Sequence, residues 1–134
     1  MNNSEVAAKL RGEHAKIVDV LKGAYKGNGI AGNDWKERLI EARRLFVSHL
    51  DHEDETIYNE TFFNEKMFGG YGATATKFRD EMKDITVTVE NFFKKYATST
   101  DNSEFITDYA ALVSALEKRI SAEETILFRE FENM

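Results

Sequence analysis

The sequence predicts an all-α protein, an up-down-up-down four-helix bundle, and three observations carry that expectation. Proline is absent from all 134 residues, so no helix loses a backbone donor to a pyrrolidine ring. Charged residues make up 31% of the chain against only eight glycines, a composition suited to long helices with solvated outer faces. Most of the glycine falls in a few short stretches, and between them lie four segments whose apolar residues recur at helical spacing. Helices of ~20–30 residues joined by short connections pack as antiparallel neighbours, each ~30–45 Å long. The length fits one domain, residues 1–134.

The first helix is expected from about Ser4 to Lys26, with Ser4 or Asn3 as its cap and Gly27-Asn28-Gly29 as its stop. Its core stripe is Val6, Leu10, His14, Ile17, Leu21 and Tyr25, with a histidine where an apolar residue is the default. The second helix starts near Asn33 or Asp34 and runs to about Asn64, before the loop Phe68-Gly69-Gly70-Tyr71-Gly72. Its stripe is Trp35, Leu39, Ala42, Phe46, His49, Glu53 and Ile57, at spacings of 4, 3, 4, 3, 4 and 4. The third helix spans roughly Ala73 to Tyr96 and is apolar along Phe78, Met82, Ile85, Val89, Phe92 and Tyr96. The fourth runs from about Ser103 to Glu132, with the stripe Phe105, Tyr109, Leu112, Leu116, Arg119, Glu123, Ile126 and Glu130.

The chemistry gathers in His49-Leu50-Asp51-His52-Glu53-Asp54-Glu55. His49 and Glu53 are neighbours on one helical face, and both fall on the core stripe. An ionised carboxylate is costly to bury unless it is paired or coordinates a metal, so something in the core must answer Glu53. Other chemistries find little support. The net charge of −6 argues against a nucleic-acid face. The absence of cysteine removes disulfides, thiolate metal sites and cysteine nucleophiles together. No glycine-rich phosphate loop and no GxSxG turn occurs. No signal peptide is expected at Met1–Val6, and no stretch nears the ~20 apolar residues of a membrane span, so a cytoplasmic location is expected.

The two halves echo one another. Residues 46–58 align without gaps with residues 116–128, and Arg11–Ile17 resembles Arg79–Ile85. Met82 then stands where His14 stands, and Arg119 where His49 stands; Glu53 is matched by Glu123. A histidine on helix one, HxxxE on helix two and an acidic-aromatic run after each glutamate (EDETIY, EETILF) resemble the hemerythrin-like, HHE cation-binding family over essentially the whole chain. That resemblance implies a four-helix bundle with a non-haem di-iron centre, serving oxygen, nitric oxide or redox and iron sensing or carriage. Carried over residue by residue, it makes His14, His49, Glu53 and Glu123 the metal ligands. His52, on the stripe's flank, is a secondary ligand candidate.

The departures limit that inference. The chain has three histidines where the full family site uses about five, and Met82 and Arg119 replace second-half ligands. A guanidinium offers a metal no lone pair. Taken alone, His14 reads as a hydrogen-bonded core histidine and His49 with Glu53 as an ordinary helix pair; their coincidence on core stripes of adjacent helices raises the metal reading. Two readings stay open. In the first, one metal ion is held by the first-half residues and Glu123, a set suited to non-haem iron, Fe(II), that zinc or manganese could also use, and the protein senses or carries a small diatomic or redox ligand without being a dedicated catalyst. In the second no metal binds, and Arg119 pairs with Glu53 or Glu123 in a structural or interaction module. The sequence names no protein partner.

Overall fold

The computed structural model describes residues 2–26, 29–30, 35–58, 71–98 and 104–133. Helix α1 spans Asn3–Lys22, capped by Asn2, whose Oδ1 accepts from the Glu5 N–H at 2.8 Å. The cap is thus one residue earlier than the sequence suggests. Asn2 is extended, and its side chain answers one of the amide groups a helix start leaves open. Gly23 follows α1 as its cap, its N–H reaching the Asp19 carbonyl at 3.1 Å, and the helix ends four residues before the expected Lys26. Tyr25–Lys26, expected as its last turn, instead form β1 of a short antiparallel ladder with β2 (Gly29–Ile30).

Helix α2 covers Trp35–Glu55; its expected cap at Asn33 or Asp34 lies outside the described residues. It ends earlier than the expected Asn64, with Thr56–Tyr58 in turns and the Glu53 carbonyl accepting from both the Thr56 and Tyr58 N–H groups. Residues 59–64 of the expected helix lie outside the described part. Helix α3 spans Tyr71–Thr98, about two residues longer at each end than expected. Helix α4 (Phe105–Ala122), a π-helical stretch Glu123–Leu127 and α5 (Phe128–Glu132) follow one another with helical backbone throughout.

That π-helical stretch corrects the expected stripe of the last helix. The Phe128 N–H reaches back five residues to the Glu123 carbonyl, and the extra residue in the turn shifts the pattern by one. The core beyond Glu123 is therefore Leu127, Phe128 and Phe131, while Ile126 and Glu130 face outward.

Each helix packs on its sequence neighbour, and α1 also packs on α4 and α5, which closes the all-α bundle. The antiparallel sense shows in the contacts: Asn3 Nδ2 donates to the Phe131 carbonyl and Tyr109 to the Leu21 carbonyl, at opposite ends of α1. Among the described residues no helix is long and apolar enough to cross a membrane.

The core is two apolar clusters rather than one. The larger runs through Leu21, Phe46, Phe92, Phe105 and Leu116; the smaller holds Leu10, Ile57, Phe78, Leu127 and Phe128. On every helix the break falls at one level: His14 between Leu10 and Ile17, His49 and Glu53 between Phe46 and Ile57, Met82 between Phe78 and Val89, Arg119 and Glu123 between Leu116 and Leu127. A polar layer therefore crosses the bundle. Below it Phe105 is the centre of the aromatic packing, edge-on to Trp35 and Tyr96 and stacked on Tyr109. Phe105→Ala should cost about 3–5 kcal/mol of unfolding free energy, read by urea denaturation; a loss below about 1 kcal/mol would mean the cluster repacks around the gap.

Candidate metal centre

The four buried polar residues of this layer are His14, His49, Glu53 and Glu123, all at 3% exposure or less. Their stripes bring them together because apolar neighbours one turn away on either side fix each helix's rotation. One ligand atom each of His14, His49 and Glu53 lies within 4.8 Å of the others, the one such grouping among the described residues. His49 Nε2 abuts Glu53 Oε1, and His14 Nε2 is 3.9 Å from the same oxygen. Glu123 adjoins the trio, its Oε1 3.7 Å from His14 Nε2. The two imidazole rings lie 4.4 Å apart, tilted by 58°, and His14 stacks on Phe128 with its Nδ1 3.5 Å from Glu124.

These groups fit a metal ion. Both nitrogens of His14, His49 Nε2, both oxygens of Glu53 and Glu123 Oε1 are buried without a hydrogen-bond partner. Orphaned buried polar atoms are rare in folded proteins, and each asks for an explanation. Here several converge on one point. The set, imidazole nitrogen and carboxylate oxygen, is the kind that binds first-row metals.

The electrostatics of the metal-free layer follow from burial. Burial raises the Glu53 carboxyl, but His14 and His49 outweigh it and hold it at about 2. Burial works against a proton on His49, yet Glu53 and Glu13 raise its pKa. Burial and the adjacent Glu53 charge push Glu123 well above the ordinary carboxylate range. The shifts oppose one another: Glu53 is held toward its charged form, His49 toward its protonated form and Glu123 toward its neutral form. Burial also raises Tyr58, so its hydroxyl keeps its proton and donates to Glu123 Oε2 at 3.1 Å.

The remaining sequence candidates lie elsewhere. His52 does not join the trio; its Nδ1 is 2.6 Å from Glu13 Oε2, and a third of the side chain faces solvent. Met82 is buried and belongs to neither apolar cluster, which makes it the apolar wall of the layer on α3. The expected pairing of Arg119 with Glu53 or Glu123 is not found. Its Nη1 donates to Glu81 and its guanidinium lies 4.2 Å over the Phe78 ring. The side chain stays nearly buried, with Nε and Nη2 shielded from solvent, and only its tip reaches the half-exposed Glu81 carboxylate. A cavity of about 470 Å³ between α2 and α3, lined by Leu50, Glu53, Tyr58, Met82 and Val87, reaches the layer from the Met82 side.

Residues 5–131 match the family model of the hemerythrin HHE cation-binding domain. The chain belongs to that family. Comparison with curated proteins and with solved structures returns no match. As a hemerythrin-type domain it keeps the first-half His/His/Glu cluster, while the second half offers Glu123, Met82 and an Arg119 bonded to Glu81. Two contributors escape a reading by stripes. Glu13 is half-buried beside the stripe, and Tyr58 lies past the end of α2, yet both bond directly to the polar layer. The signal that could have found them is the count of donors each buried histidine and glutamate needs. Tyr58→Phe should leave Glu123 Oε2 without its donor and cost about 1–3 kcal/mol, measured by urea unfolding of metal-free protein; an unchanged midpoint would mean the oxygen finds another donor.

Proposed function

We propose that this hemerythrin-type chain binds one non-haem iron ion through His14, His49 and Glu53, with Glu123 closing the set. The bound ion makes it a sensor or carrier of a small diatomic or redox ligand such as oxygen, nitric oxide or peroxide. The observation that carries the reading is the trio of buried, unpartnered ligand atoms gathered within 4.8 Å. Two imidazoles and a carboxylate suit mononuclear Fe(II) with positions left open. Iron held there would supply a reversible binding and redox site for the small ligand. The rest is the work of this chain. His14 and His49 present lone pairs, Glu53 and Glu123 present charge, and Phe128 stacks on His14 to limit its rotation. The apolar clusters on either side exclude water, and the cavity ending on Glu53 and Tyr58 gives a small ligand an approach between α2 and α3.

One ion is favoured over two because Met82 and Arg119 take the second-half positions, and neither offers an ordinary iron ligand. The metal-free alternative asks Arg119 to neutralise the buried carboxylates, and its bond to Glu81 weakens that case. Elemental analysis of protein from iron-supplemented cells should find close to one iron per chain, and His49→Ala should lose it. Ferrous ion at about a hundredfold over its Kd should add about 2.7 kcal/mol to wild-type stability and nothing to His49→Ala. Protein that carries no metal and takes none up on ferrous reconstitution would end this reading.

Uptake should also depend on pH with a defined sign. His49 and Glu123 both have raised pKa values, so each holds its proton to higher pH than its free group does and releases it as pH rises. A metal must displace both, so apparent affinity should climb with pH, by up to about a hundredfold per unit while both are bound. Titrations with ferrous ion under anaerobic conditions at pH 6, 7 and 8 read the slope. A flat profile would mean that neither proton is displaced.

A further inference from the structure

Glu13 precedes His14 on α1 and sits off the core stripe, about a fifth exposed. Its two oxygens are divided between two histidines of α2: Oε1 is 2.8 Å from His49 Nδ1 and Oε2 is 2.6 Å from His52 Nδ1. His49 and His52 are three residues apart, so one carboxylate on the facing helix spans both. An ionised carboxylate only accepts, so the proton of each contact lies on Nδ1. A neutral His49 in that form keeps its lone pair on Nε2, the nitrogen that abuts Glu53 within the trio.

The second half repeats the device with a different outcome. Glu81 stands in the echo where Glu13 stands, and Arg119 where His49 stands. Glu81 grips Arg119 as Glu13 grips His49. The same carboxylate position holds a guanidinium in one half and an imidazole in the other.

We propose that Glu13 is a positioning residue of the metal centre: it fixes the ring and tautomer of His49 so that Nε2 faces the ion, and His52 in turn fixes Glu13. The inference rests on the metal-binding reading above. Its charge does more than orient the ring, because a carboxylate on Nδ1–H makes the imidazole a stronger donor and favours the higher oxidation state of a bound ion.

The test is a cobalt(II) titration followed by visible d–d absorption, on the full chain, with folding checked by circular dichroism. Glu13→Gln keeps the shape: its amide oxygen can still accept from His49, while its NH₂ can bond His52 only after that half-exposed ring changes tautomer, so the charge facing His49 Nδ1–H is lost and the bond kept. Glu13→Ala loses both. Affinity should fall by about 10–100-fold in Glu13→Ala and less in Glu13→Gln, and the Glu13→Gln band should shift because the donor is weaker. His52→Gln, which leaves the carboxylate in place, should lower affinity less than Glu13→Ala. In iron-loaded protein the ferric/ferrous potential should rise in Glu13→Gln, which a bond that merely ties α1 to α2 would not produce. Wild-type affinity and an unmoved band in both Glu13 variants overturn the proposal while leaving the metal centre standing. A wild-type chain that takes up no cobalt overturns the centre itself, and Glu13 with it.

Discussion

Two carboxylates at zero exposure in the middle of a helical bundle are the constraint on which the rest of this structure turns. Burying one ionised carboxylate in an apolar core costs several kcal/mol unless it is compensated, and two cannot both stay charged side by side without a cation between them. Every helix gives up a core position at that level. α1 offers His14, α2 His49, and α3 Met82; the last helix brings Glu123 and bends its register with a π-helical stretch that starts at that residue. The same stretch sets Leu127 and Phe128 side by side in the core, which places Phe128 against the His14 ring. The split of the apolar core into two clusters is the packing consequence of the polar layer.

The near-repeat of the two halves makes the asymmetry readable. Both halves keep the glutamate of the layer and the carboxylate that reaches across from the neighbouring helix, Glu13 in one and Glu81 in the other. They differ in what that carboxylate holds. In the first half it is an imidazole whose Nε2 faces Glu53; in the second it is a guanidinium laid over Phe78, nearly buried, with one nitrogen on Glu81. Met82 then closes the wall that His14 closes on the opposite side. Two side-chain differences between the halves, Met82 against His14 and Arg119 against His49, make the near-repeat one-sided.

Helix order, antiparallel packing and the core positions of His49, Glu53 and Glu123 were legible because apolar residues one turn away fix each helix's rotation; whether His14 points inward turns on less than one residue of rotation, which the sequence leaves open. What stripes could not reveal falls into three kinds. Arg119 shares a stripe with Leu116, but a long flexible side chain does not stay where its Cα points. The shift from Ile126 to Leu127 comes from a single extra residue in one turn, which no periodicity assumed constant can anticipate. Glu13 and Tyr58 were passed over because they are partners of core residues rather than members of a stripe. Asking what donates to Glu123 and what accepts from His49 Nδ1 leads to both.

The electrostatics of the layer follow from the same constraint. Glu53 and Glu123 lie side by side at zero exposure, so, against the cost of burial, the neighbouring histidines hold Glu53 toward its charged form, while burial and the Glu53 charge hold Glu123 toward its neutral one. Despite its burial, His49, between Glu53 and Glu13, holds its proton more firmly than a free imidazole. A divalent ion entering the layer would compete with those protons, because a nitrogen or oxygen must give up its proton to become a ligand. The arrangement that answers two buried carboxylates with protons is therefore also the one a metal would have to displace.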